Sequence, residues 1–93
     1  MPKSIQELLA ARAKTHGDFR VHATCSQDLK RVMQQQAKWD RLRSVQQEAL
    51  DMIQHKVARI LAGNPDTIDH WDDIVGYATL AANQLRELQG GPV

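Results

Sequence analysis

Two amphipathic helical patterns meet at a break around Gly63 and Pro65, and the second opens on four acidic residues, Asp66, Asp69, Asp72 and Asp73. Upstream of the break, Val45, Ala49, Met52, Ile53, Val57, Ile60 and Leu61 recur at three- and four-residue steps, the spacing that lines one side of an α-helix. Ser44 is the predicted cap of this helix, and Gly63 followed by Pro65 ends it. Downstream, Asp66 or Thr67 caps a helix whose stripe is Trp71, Ile74, Val75, Ala78, Ala81, Ala82, Leu85 and Leu88, closed by Gly90, Gly91 and Pro92.

The same period appears twice before this hairpin. Ser4 and Glu7 have capping-box spacing, and Ile5, Leu8 and Leu9 follow, which predicts a first helix over residues 5–14. Gly17 suits a left-handed helix end. From Phe19, the positions Val21, Cys25, Leu29, Val32, Met33 and Ala37 predict a second helix, with Asp18 or Ser26 as its cap. No stretch alternates with period two, so the expected fold is all-α, a single domain arranged as an antiparallel four-helix bundle.

Ninety-three residues bury a smaller fraction of their surface than a large domain does, so self-association into a dimer or tetramer is expected to complete the core. Gly76, Ala78, Ala81 and Ala82 leave little bulk on the fourth helix, where a neighbouring helix can approach closely. Nine of the twelve Lys and Arg fall in residues 3–43, but they alternate with Gln, Asp and Glu and lack interleaved aromatics, so a nucleic-acid partner is not expected. Cys25 is the only cysteine, which excludes an intramolecular disulfide and fits a reducing cytoplasm. No apolar run reaches a membrane span, and residues 1–14 lack the apolar centre of a signal peptide.

Asp69, Asp72 and Asp73 lie three and four apart in the first turns of the fourth helix, close enough to repel. Two arrangements offset that repulsion. In one, the helix dipole and ion pairs to Lys56 and Arg59 neutralise the acids; in the other, a hard divalent cation takes them as oxygen ligands. On the third helix Glu48 and Asp51 are three apart and His55 lies four beyond Asp51. His55 could act as a base, but beside Lys56 on a polar flank it reads first, like His70, as an exposed or hydrogen-bonded imidazole; His16 and His22 read as loop or near-loop residues, and no zinc spacing is present. Trp71 falls on the apolar stripe, whereas Tyr77, four after Asp73, falls on the acidic flank.

The run HKVARILAGNPDTIDHWDDIVGYATLAA, with GDF at residues 17–19 upstream, resembles a family of small phage and prophage-associated proteins. That family in turn resembles the MazG-like all-α nucleoside triphosphate pyrophosphohydrolases, in which a glutamate-rich helix and a following ExxD helix bind magnesium around a triphosphate. The resemblance implies nucleotide binding or hydrolysis to monophosphate and pyrophosphate. It implies Asp73, Asp69, Glu48 and Asp51 as ligands of Mg2+, or of Mn2+ in its place, with Asp73 and Glu48 catalytic. Lys56, Arg59 and Tyr77 are then the substrate-binding residues. Here Asp73 matches the ExxD aspartate, His70 stands where that motif has glutamate, and Gln47 replaces one acid of the glutamate-rich helix. The alternative is a noncatalytic interaction module on the same scaffold, its acids fixing helix ends and subunit pairing.

Overall fold

The computed structural model describes residues 4–90, and every regular element among them is helical. Helix α1 spans Ile5–His16, α2 Phe19–Gln34, α3 Ser44–Ala62 and α4 Ile68–Leu88; a single 3-10 turn, Trp39–Arg41, lies between α2 and α3. None of the described helices is long and apolar enough to cross a membrane.

Local chemistry sets the helix ends. The Ser4 hydroxyl accepts from the Glu7 amide at 3.1 Å, and Gly17 takes up φ +79° immediately after α1, a conformation that side chains resist. Asp18, not Ser26, caps α2, its carboxylate accepting from the Arg20 amide at 2.8 Å. The second helix stops at Gln34 instead of continuing to Ala37, because the chain tightens into three-residue turns: the Gln36 amide reaches the Met33 carbonyl and the Trp39 amide the Gln36 carbonyl. Ser44 is the first residue of α3 and not its cap. The cap is Arg43, whose amide donates to the Gln46 side chain at 2.9 Å. Thr67 stands at the cap position of α4.

Helix α3 is the central element, packed against α2 on one side and α4 on another, with α1 resting on α2 and α3. The turn after α1 presses on the end of α3. A Cβ on Gly17 would lie 1.9 Å from the Ala62 carbonyl oxygen, and one on Gly63 2.4 Å from the Thr15 carbonyl oxygen. That Thr15 carbonyl accepts from the Asn64 amide at 3.1 Å and lies 3.0 Å from His70 Nε2. The two turns are thus fastened backbone to backbone.

The interior is not the one the apolar stripes predict. Ala49, Ala58 and Ile60 are the only buried apolar residues among those described, whereas His22, Ser26, Gln54, Lys56 and His70 are buried with them. On α2 the buried positions are His22 and Ser26, which leaves Val21 and Val32 exposed. On α3 Leu61 faces outward. On α4 His70, Ile74, Tyr77, Ala81 and Leu85 are buried or half-buried, while Trp71, Val75, Ala78 and Leu88 are exposed. Tyr77 and Trp71 have therefore exchanged the roles predicted for them. Trp71 is held outward by its indole, whose Nε1 donates to the Pro65 carbonyl at 2.8 Å, and α2 meets α3 through a polar pair in which the Ser26 hydroxyl donates to Gln54 Oε1 at 3.0 Å and Gln54 Nε2 donates to the Asp51 carbonyl at 2.8 Å. The radius of gyration, 15.9 Å, exceeds the roughly 12 Å of a compact chain of this length.

Candidate functional site

A cavity of about 590 Å³ opens where α1, α2 and α3 meet. Arg12 and His16 reach it from α1, Phe19 and His22 from α2, and His55 and Arg59 from α3, with Leu9 as an apolar wall and Asp18 at the edge. Helical spacing brings them together: His55 and Arg59 are four apart, as are Arg12 and His16, so each pair shares a helix side. The Gly17 and Gly63 contact then holds the end of α1 against α3.

The imidazoles pack on one another. His22 and His55 meet edge to face with ring centres 4.6 Å apart, and His16 and His70 lie tilted at 5.0 Å. His55 is pushed down to about 4, first by burial and then by the Arg59 charge, with smaller contributions from His22, Lys56 and Lys30. Burial followed by Arg59 also lowers His16 and His22. His16, His22 and His55 are therefore neutral at pH 7, in a region that two guanidinium groups make positive. His22 Nδ1 is buried without a hydrogen-bond partner. The Ala58 backbone beside His22 partly opposes the lowering by burial and Arg59, and a neutral imidazole lining a cavity beside arginines can donate to an anionic oxygen or take a proton from water.

Apart from Arg59, the residues that the family resemblance nominates fall elsewhere. Lys56, only 8 % exposed, places Nζ 2.9 Å from Asp73 Oδ2, and this hydrogen bond is the main cause that holds the Asp73 carboxyl below its ordinary range. Asp69 and Glu48 are exposed, Asp51 and Tyr77 half-buried. Asp51 Oδ1 is buried without a partner, the one observation in this group that favours a cation. Among the described residues, however, no three His, Cys, Asp or Glu side chains are arranged to hold a metal ion. Magnesium is usually held by one or two carboxylates together with waters and substrate phosphates, and the described residues assemble no larger protein ligand set around one point. Of the seven nominated residues, the structure joins Lys56 to Asp73 and puts Arg59 in the cavity.

Nothing in the acidic motif points to Arg12, His16, Phe19 or His22 as site residues. His22 lies one turn past the connection at residues 17–18 and is buried in α2; His55 lines the cavity, and His70, 2 % exposed, is hydrogen-bonded at the Thr15 carbonyl. The available signal was the run His22, Ser26, Leu29, Met33, which keeps helical period and competes with the more apolar run beginning at Val21.

No curated protein and no solved structure matches the chain. A family model matches residues 3–85, most of the sequence, and the chain belongs to that family, described as a domain of unknown function (DUF6378).

Proposed function

We propose that this protein binds nucleoside triphosphates in the cavity between α1, α2 and α3, on an antiparallel helical bundle of phage-associated, MazG-like ancestry. The observation that carries the reading is the convergence of Arg12, Arg59 and three histidines on one cavity of about 590 Å³. Guanidinium groups match phosphate oxygens in pairs, and neutral imidazoles add directed donors without further charge repulsion. Phe19, 77 % exposed at the cavity edge, offers a ring face to a nucleobase. Such a pocket is of the size that takes small ligands.

Hydrolysis to monophosphate and pyrophosphate is the further step that the family resemblance implies. His55 is neutral at pH 7 and free to accept a proton, and the negative charge of a bound triphosphate would raise its low value toward the working pH, where it could serve as the base for the attacking water. A noncatalytic binding module is the second reading, and the Lys56–Asp73 ion pair favours it, because the aspartate matched to the ExxD motif is already neutralised.

Calorimetric titration with a panel of ribo- and deoxynucleoside triphosphates, with and without Mg2+ or Mn2+, tests the first claim. Binding of at least one nucleotide, weakened on the order of 100-fold in Arg59→Met, is expected. No binding by any member of the panel refutes it. Pyrophosphate release from the bound nucleotide, lost in His55→Gln, separates the enzyme from the binding module.

A further inference from the structure

Helix α4 carries apolar side chains on two sides, one covered by α3 and the other exposed, where Ile68 and Val75 flank the exposed Asp72. His70, Ile74, Tyr77, Ala81 and Leu85 turn toward α3, whereas Ile68 and Val75 on the other side are 66 % and 63 % exposed, with Trp71 beside them at 49 %. Between the faces sits Gly76. Glycine in a helix interior is disfavoured relative to alanine, and a Cβ at Gly76 would meet nothing within 4 Å. Its missing side chain therefore has no explanation inside one protomer. Thr79 and Ala82 continue the small surface toward the carboxyl end.

We propose that α4 pairs antiparallel with α4 of a second copy of this chain, crossing near Gly76. The face is self-complementary in shape and in charge. Its bulk, Ile68 and Val75, lies toward the amino end and its small residues, Thr79 and Ala82, toward the carboxyl end. Reversal about residue 77 therefore sets Val75 against the partner's Thr79 and Ile68 along the partner's Arg86. Asp69 and Arg86, both exposed, stand at opposite ends of the helix, so the same reversal brings Asp69 beside the partner's Arg86, twice across the two-fold axis. An isologous contact of this kind closes on itself as a dimer. The helix spans 21 residues, about 30 Å, long enough for several layers of contact. The 15.9 Å radius of gyration fits a protomer that completes its packing in a dimer.

Sedimentation equilibrium of the full chain across micromolar concentrations tests this, with circular dichroism confirming helix content in each variant. The wild type sediments at twice the chain mass. Val75→Glu and Gly76→Leu each weaken association on the order of 100-fold; the open space at Gly76 lets the second variant fold even where the first does not. Asp69→Arg and Arg86→Asp each weaken it several-fold, and the double variant regains affinity. A monomeric wild type overturns the proposal, as does a dimer indifferent to Val75→Glu and Gly76→Leu, which would place the contact on another face. A double variant no tighter than the singles overturns the antiparallel register.

Discussion

Lowering the pH should destabilise this protein in a range where its carboxylates are not yet titrating. His55 has its folded value pushed from 6.5 to about 4, so between those values the unfolded chain takes up a proton that the folded chain refuses. Stability rises with pH wherever the unfolded state binds more protons. The contribution of His55 is therefore fully present above pH 6.5 and is lost as the pH falls toward 4. At pH 5 the unfolded histidine is almost wholly protonated and the folded one almost wholly neutral. The gap corresponds to roughly 1.5 units, or about 2 kcal/mol at 1.36 kcal/mol per unit. Water still reaches the half-buried ring, which reduces the figure to about 1 kcal/mol. His16 and His22 are lowered by the same two leading causes and add losses of the same sign.

Urea unfolding at pH 7.5, 6.5, 5.5 and 5 measures the effect, and His55→Gln should flatten the slope between the first and last points. Asp73, held low by Lys56, contributes only as the pH falls below its ordinary 3.8, outside this range. Tripolyphosphate adds a link to the proposed site: an anion near Arg59 favours the imidazolium, so its stabilising effect should be larger at pH 5.5 than at pH 7.5. Stability that is constant or rising between pH 7.5 and 5 would refute the reasoning, as would an unchanged slope in His55→Gln.

Gly63→Ala should cost about 3 kcal/mol in urea unfolding, because its Cβ would lie 2.4 Å from the Thr15 carbonyl oxygen and force apart the turns that the Asn64 and His70 contacts join. Ser26→Ala should cost about 1 to 2 kcal/mol by leaving buried Gln54 Oε1 without its donor; an isosteric apolar pair at the two positions should regain most of it. Lys56→Met should leave stability within about 1 kcal/mol of wild type, since an apolar side chain replaces a buried ammonium. Asp73→Asn should lower stability by stranding that ammonium, and equal thermal shifts in the two variants would count against the ion pair.

The helices were legible in the sequence because their period and their breaks are local properties. Four apolar patterns, Gly17 and Gly63 place all four α-helices, with errors confined to their ends: α1 runs on to His16, α2 stops at Gln34 ahead of Ala37, and Arg43 caps α3 in place of Ser44. The orientation of each helix was less legible. Periodicity says that a helix has an apolar side; it does not say that this side faces the same protomer. On α2 the pattern at Val21 and Val32 is correct as a pattern, yet α3 receives His22 and Ser26 instead. The site was hidden for the same reason. Its histidines look like ordinary polar residues until α3 supplies Gln54, His55 and Arg59 opposite them, a contact across some thirty positions that no short motif encodes.

The exchange of polar inside for apolar outside connects the two proposals. A lone small domain that buries His22, Ser26, Gln54, Lys56 and His70 gives up apolar burial where it would otherwise be largest, and at about 25 cal/mol per Å² each large side chain left outside forgoes on the order of 2 kcal/mol. Hydrogen bonds among the buried groups roughly replace those made to water and do not by themselves close that gap. An α4 contact with a second copy recovers apolar burial from Ile68 and Val75 without disturbing the cavity, because those residues lie on the side of α4 turned away from α3. Ligand binding and self-association are then physically separable. Val75→Glu should abolish the dimer and lower stability in a concentration-dependent way, while nucleotide affinity per folded chain stays within about 3-fold of wild type. Calorimetry on that variant above and below the wild-type dimer midpoint decides it: loss of nucleotide binding with the dimer would mean that the cavity is completed across the interface, and the division of labour between α4 and the α1, α2, α3 junction would be wrong.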